Sequence, residues 1–350
     1  MAEKPKRFKL PACKKLFLLF HPYAWSDNLV FFMAKKTRTF YRTLRRPLEW
    51  GAVCLGLLII PRLTLPQLFR LSIWVADVTY ALDHRGKAIA RANLVLMFGQ
   101  RMTPYRARLI TRRSYRNMAR VLVNIFWLSR SCSARERVLD QVSFAPHVLE
   151  TVKELAPCIM VSAHLGNWEI LSQASVVHGF PVVSVAKDIG SPRMTEKLIR
   201  LRSTIGQEIV TAEGALRKLI KALKESKSIG LLIDQHTHTR DGGTWVSFFG
   251  VAAGISLAPA MLALKLSRPI LFAWSRPLHD GRYRIESGGT FFPDPQSDAQ
   301  TLTQQIATAF EQVIRRHPSF WCLNYRRWRY IKAGEDATRY PFYARPQRNR

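Results

Sequence analysis

The hydrophobic pattern changes character near residue 145. From Pro157 onward, short apolar runs alternate with amphipathic stretches. Runs at 158–162, 181–186, 208–211, 229–234 and 269–275 predict strands, and windows at about 168–178, 192–204, 213–225, 255–266 and 299–316 predict helices. Alternation at this spacing predicts an α/β fold: a layered mixed sheet with flanking helices. The first third reads differently. Trp50 to Ile60 is wholly apolar, Pro61 and Arg62 interrupt it, and Leu71 to Leu82 resumes with Asp77 as its one charge. Neither run reaches the ~20 apolar residues of a spanning helix. The pattern predicts an in-plane or re-entrant hydrophobic anchor ahead of a buried helix, with two plain core helices as the alternative. Residues 83–130 read as basic helical segments, with Thr103 capping one and Pro104 at its first position. Three parts follow: a basic segment at 1–46, hydrophobic anchor helices at 47–82, and one domain at 83–345 whose α/β core starts at about 145. No internal repeat or low-complexity linker divides that domain.

Charge changes the picture. The chain has 350 residues, is 47% hydrophobic and carries a formal charge of +30. Such a balance suits nucleic acid, an anionic membrane, or an acidic protein or substrate. The ends hold much of it: 12 Lys/Arg against 3 Asp/Glu in residues 1–50, and 10 against 2 in residues 315–350. Basic residues interleaved with the apolar patches Leu16–Phe20 and Leu29–Met33 suit an anionic bilayer surface. No small-residue cleavage site follows an apolar run, so no secretory signal is read. Five scattered cysteines, at 13, 54, 132, 158 and 322, lack the Cys-x2-Cys spacing of a metal or redox site. No helix-turn-helix, zinc-finger or RNA-recognition signature accompanies the charge, so nucleic acid is not an expected partner.

The chemistry concentrates in Cys158-Ile-Met-Val-Ser-Ala-His-Leu-Gly-Asn-Trp-Glu-Ile-Leu171. Ile159 to Val161 reads as a buried strand, Gly166 as a turn, Asn167 as an N-cap and Trp168-Glu169 as the start of a helix. The strand delivers His164 to a sheet rim, with Glu169 in the first turn beyond. A carboxylate meeting the ring across that corner would hold one tautomer and stabilise the imidazolium, as a general base requires. Asp234-Gln235-His236 follows the apolar strand Ile229-Gly-Leu-Leu-Ile233, again at the rim where α/β ligands bind. With His238 and Asp241 it could begin a metal site, although no further ligand cluster completes one.

His164-Leu-Gly-Asn-Trp-Glu169 resembles the His-x4-acid block of the glycerolipid and lysophospholipid acyltransferases. It is most similar to the branch that places late acyl chains on lipid A. Asp234-Gln-His with Val246-Ser-Phe-Phe-Gly250, Ala258-Pro-Ala-Met-Leu-Ala-Leu264, His317-Pro…Trp321…Arg326-Arg-Trp328 and Ala92-Asn-Leu94 resemble further blocks of that branch, in order, over about residues 45–345. The resemblance implies an N-terminal membrane anchor, an acyltransferase without metal or other cofactor, and direct transfer that needs no acyl-enzyme. His164 becomes the expected base and Glu169 its orienting acid. Gly166, Asn167, Lys187, Arg202, Asp234, Arg326 and Arg327 become the expected substrate-binding residues. Arg202-x3-Gly206 stands where the family carries an arginine, whereas Val185-Ala-Lys-Asp188 departs from the usual Tyr-Arg-Pro and puts Lys187 in a phosphate-facing position. The implied donor is an acyl thioester on acyl carrier protein, an acidic partner. The implied acceptor is a hydroxyl of a phosphorylated lipid A precursor, at the cytoplasmic face of a bacterial inner membrane. A phospholipid, glycolipid or aminolipid acceptor, and a non-catalytic basic membrane- or nucleic-acid-binding protein, are the alternatives.

Overall fold

The computed structural model describes residues 50–129, 131–186, 192–294 and 296–347. The basic segment 1–46 and Lys187 lie outside them. Residues 50–59 are helical and lead through a short turn into α1 (Leu65–Leu82). Thr64 caps α1, its hydroxyl accepting from Gln67 N–H while the Gln67 side chain accepts from Thr64 N–H. Then come α2 (His84–Phe98), α3 (Pro104–Trp127), α4 (Ser131–Gln141), β1 (Val142–Phe144) and α5 (Val148–Leu155). The alternating part follows as β2 (Ile159–Ser162), α6 (Trp168–Val177), β3 (Val182–Ala186), α7 (Pro192–Arg202), β4 (Glu208–Thr211), α8 (Ala215–Lys224) and β5 (Ser228–Leu232). A hairpin of β6 (Gly243–Phe248) and β7 (Val251–Ser256) precedes α9 (Ala258–Leu266), β8 (Ile270–Pro277), β9 (Tyr283–Phe291) and α10 (Ala299–Arg316).

Seven strands form one mixed sheet in the order β1-β9-β8-β2-β5-β3-β4. β8, β2, β5, β3 and β4 run parallel to their neighbours, and β9 turns back antiparallel to β8. β2 lies centrally between β5 and β8, which explains its unbroken apolar run: both faces are covered. Its faces still separate with period two. Ile159 and Val161 join the large cluster under α9 and α10, together with Ile270, Phe272 and Trp274 of β8. Cys158 and Met160 point the other way, with Val152, Leu271 and Ala273.

The five strands read from the sequence are present, within two residues at each end. The helix expected from residue 255 starts at Ala258, and Val251–Ser256 is a strand instead. The reason is the turn Phe249-Gly250, where both residues have positive φ (54° and 80°), the geometry of a tight hairpin. That turn folds β7 back onto β6 and draws Ile255 into the ladder opposite Thr244.

The arginines of α3 divide between partners and solvent. Arg112 and Arg116 both bind Asp77 of α1, at 2.8 and 3.0 Å. Arg120 lies over the Phe69 ring at 4.1 Å. Arg106, Arg108 and Arg113 remain exposed. Among the described residues no helix is long and apolar enough to cross a membrane. The helical stretch 50–59 nonetheless keeps Trp50, Leu55, Leu58 and Ile59 exposed, and α1 exposes Trp74 and Val78.

Candidate active site

Two strand ends make the site. His164 lies just past the C-terminal end of β2, and Asp234 two residues past β5, the parallel neighbour of β2. The two residues are 70 apart in sequence, yet His164 Nδ1 lies 2.6 Å from Asp234 Oδ1. Both side chains are buried. The second carboxylate oxygen of Asp234 accepts from Trp321 Nε1 at 2.8 Å and from Arg327 Nη2 at 2.7 Å. Burial pushes this carboxyl upward, but the charges and hydrogen bonds of His164 and Arg327 outweigh it and hold the group well below the usual carboxylate range. Asp234 is therefore a fixed anion that accepts from the Nδ1–H of His164. That leaves Nε2 as the acceptor nitrogen of the neutral ring.

This corrects the expected pairing. Glu169 was to orient His164; instead its Oε2 takes the Nε–H of Arg202 at 2.6 Å and its Oε1 the indole N–H of Trp168 at 3.1 Å. Helix rotation is the reason. Trp168 opens α6 with its ring edge-on to His164, centroids 4.8 Å apart. The next residue is turned by about 100° on the helix, which aims Glu169 at the C-terminal end of α7. Arg202, expected to meet substrate phosphate or a developing oxyanion, ion-pairs with Glu169.

The loop between them is held by backbone contacts. Gly166 has φ +62°, and a Cβ there would lie 1.6 Å from Ser275 O. Gly166 N–H donates to Phe320 O at 2.9 Å, and Cys322 N–H to His164 O at 2.9 Å. Asn117 of α3 donates to both Gly166 O and Phe320 O, and Ser275 Oγ accepts from Asn167 N–H at 2.7 Å. Asn167 Oδ1 in turn caps α6 through Ile170 N–H at 3.2 Å. Gly166 and Asn167 thus shape the loop that carries the ring.

The C-terminal motif divides as well. Arg327 is buried, its guanidinium 3.6 Å over the Trp321 ring, and it donates to Cys322 O besides Asp234. It is a counter-ion for Asp234, a correction of its expected place at a lipid headgroup. Arg326 is half-buried near Tyr343. Burial first, then Arg85, Arg329 and Arg345, lower its pKa, so it lies in a strongly positive neighbourhood suited to an anion. Phe248 and Phe249 of the hairpin pack on Trp321 and Trp328, walling the back of the site. Asn93, in the Ala-Asn-Leu block, bridges Leu323 O and Tyr325 O at 2.7 and 2.9 Å and so fastens this segment to α2. Burial raises the Cys158 thiol to about 11, which leaves it an inert core group.

Sequence reasoning also passed over Gln235 and Asn117. Gln235 Nε2 lies 3.2 Å from His164 Nε2. Its adjacency to Asp234 was visible in the chain; that Asp234 meets the base was not, so Gln235 carried no signal of its own.

A buried imidazole with one nitrogen on a fixed carboxylate and the other facing a half-buried amide, at the rim of a parallel-cored sheet, is an arrangement that can carry general-base chemistry in an α/β protein. The chain belongs to the bacterial lipid A biosynthesis acyltransferase family, whose model matches residues 34–330. It is also similar to two curated proteins called phosphatidylinositol mannoside acyltransferase, from Mycobacterium tuberculosis strains H37Rv and CDC 1551. Each is 24% identical over 176 residues, 49% of this chain. The chain spans about half the length of these relatives, 54%.

Proposed function

We propose that this protein is a membrane-associated acyltransferase that moves a fatty acyl chain from an acyl thioester to a lipid hydroxyl. The observation that carries the reading is the His164–Asp234 hydrogen bond in the setting of the family match. His164 Nε2 takes the proton of the acceptor hydroxyl, and the oxygen attacks the thioester carbon. The carbonyl π pair moves to oxygen, then returns as the carbon–sulfur bond breaks, and the leaving thiolate takes the proton from Nε2. Asp234 keeps Nδ1–H in place and stabilises the imidazolium between the two transfers. Cys158 takes no part, and no metal or other cofactor enters the steps.

The proposed donor is an acyl thioester on acyl carrier protein, whose acidic surface would suit a chain of charge +30. The proposed acceptor is a phosphorylated lipid A precursor, supported by the family description. The proposed place is the cytoplasmic face of a bacterial inner membrane, supported by the exposed Trp50, Leu55, Leu58 and Trp74. Arg326 is the residue proposed for the acceptor's phosphate, with Lys187 as a second. A phosphatidylinositol mannoside is the second acceptor, favoured by the names of the two mycobacterial relatives.

The test is acyl transfer by membranes carrying the wild type or His164→Ala, given acyl-carrier donors with a lipid A precursor, a phosphatidylinositol mannoside, a lysophospholipid or an aminolipid. Transfer to the lipid A precursor that vanishes in His164→Ala is the expected result. Transfer to another acceptor keeps the reaction and moves the substrate. A folded, membrane-bound wild type that transfers to none of them would leave a basic binding protein as the better reading.

A further inference from the structure

The base nitrogen is not open. Gln235 Nε2 stands 3.2 Å from His164 Nε2, in the volume an acceptor oxygen must enter to lose its proton. The amide orientation follows from the ring: with Nδ1–H given to Asp234, Nε2 is an acceptor, so the NH2 end of Gln235 must face it. Among the described residues this is the one hydrogen bond the Gln235 side chain makes.

The amides that hold this fold together behave otherwise. Asn117 and Asn93 each bridge two backbone carbonyls, and Gln304 spans the N–H and C=O of Ser247. Gln235 holds no backbone group. It is half-buried beside the reacting nitrogen, on the residue that directly follows the orienting carboxylate.

The backbone donors of the loop that follows the base are occupied. Gly166 N–H is bound to Phe320 O, Leu165 N–H to Ala163 O and Asn167 N–H to Ser275 Oγ. Arg202 Nε is on Glu169, and Arg327 lies behind Asp234. The loop that carries the base therefore offers no backbone oxyanion hole at residues 165–167.

We propose that Gln235 is a catalytic residue of the transfer reading given above: its amide N–H stabilises the oxyanion formed when the acceptor oxygen adds to the thioester carbonyl. In the resting site the amide rests on Nε2. An arriving hydroxyl takes that place, and the displaced NH2 turns to the carbonyl oxygen as negative charge collects there. Acceptor oxygen, carbonyl oxygen and amide then all lie within about 3–3.5 Å of the same point, the spacing such a step needs. No proton leaves the amide, so the atoms balance as in the base-catalysed transfer.

The experiment compares wild type, Gln235→Ala and Gln235→Glu in steady-state transfer from lauroyl-acyl carrier protein to the acceptor that wild type uses, with thermal unfolding measured alongside. Gln235→Glu keeps the shape but loses both N–H donors. The expected result is a fall in kcat of about 10²–10³-fold in both variants, as for loss of one oxyanion donor. KM for donor and acceptor should stay within about threefold, and unfolding should be unchanged. Turnover equal to or faster than wild type in Gln235→Ala would make the amide a plug on Nε2 and overturn the proposal. A rise in KM with kcat unchanged would make it a binding contact and overturn it too. Wild type inert toward every acceptor overturns the transfer reading, and this role with it. An active wild type with active variants sinks this role alone.

Discussion

At the scale of single residues, the site separates arginines that the chain writes side by side. Arg326 and Arg327 look alike in the sequence, yet one is half-buried among other cations and the other is a buried counter-ion. Their variants should diverge. Arg327→Met leaves Asp234 a buried carboxylate without its cation and is expected to destabilise by about 3–5 kcal/mol, read as a lower chemical-denaturation midpoint. Arg326→Ala should leave stability within about 0.5 kcal/mol while raising KM for a phosphorylated acceptor. If Arg327→Met unfolds like wild type and Arg326→Ala does not, the assignment of the two is reversed. The His-x4-Glu motif is legible only in part for a related reason. His164 could be picked because a strand, a break and a glycine turn are local signals. The identity of its carboxylate could not, because Asp234 is 70 residues away and Glu169, the near one, is turned aside by helix geometry.

Elements raise a different question, which is what ties the N-terminal helices to the sheet domain. Asp77 is the one charge in the apolar run of α1, and it receives both Arg112 and Arg116 of α3. The hydrogen bond from Arg112 is the main cause that its pKa falls from 3.8 to about 2, with Arg116 adding and partial burial opposing. The folded value lies below the unfolded one. The pairing therefore contributes fully above about pH 4 and is lost as pH falls from 4 toward 2. Asp77→Asn should unfold at lower temperature than wild type at pH 7, and the gap should close between pH 4 and 2. A gap that persists at pH 2 would mean the carboxylate charge is not what matters. Element boundaries repeat this lesson. Strands β2 and β8 were legible because burial on both faces writes continuous apolar runs, while β3, β4 and β5 were legible as short apolar runs between helical windows. β7 was not, because Val251–Ser256 runs into the apolar start of α9 and the hairpin turn at Phe249-Gly250 carries the boundary.

Over the whole molecule, exposed apolar side chains on the first helices go with a strongly basic chain. Leu55 and Leu58 are each 57% exposed and Trp74 65%, in a chain of charge +30. The full-length protein is expected to float with vesicles containing anionic lipid. Replacing Leu55, Leu58 and Trp74 together by Ser should weaken that binding by about tenfold or more, since each side chain carries apolar area into the interface. Release of the wild type by salt alone would reduce the association to charge. The triple variant should keep its fold, because these side chains contribute little to any core cluster.

The sequence by itself determined the alternating half of the fold, the apolar N-terminal runs, the candidate base and the family to which these blocks point. Those are properties of short windows, where period, turn residues and local order suffice. Tertiary structure alone decided which side chains meet. Strand order put β5 beside β2 and so gave His164 to Asp234. The segment at 320–328 closed over both and turned Arg327 inward. Helix phase sent Glu169 to Arg202. Such contacts depend on how distant strands and helices pack, and no local pattern encodes that distance.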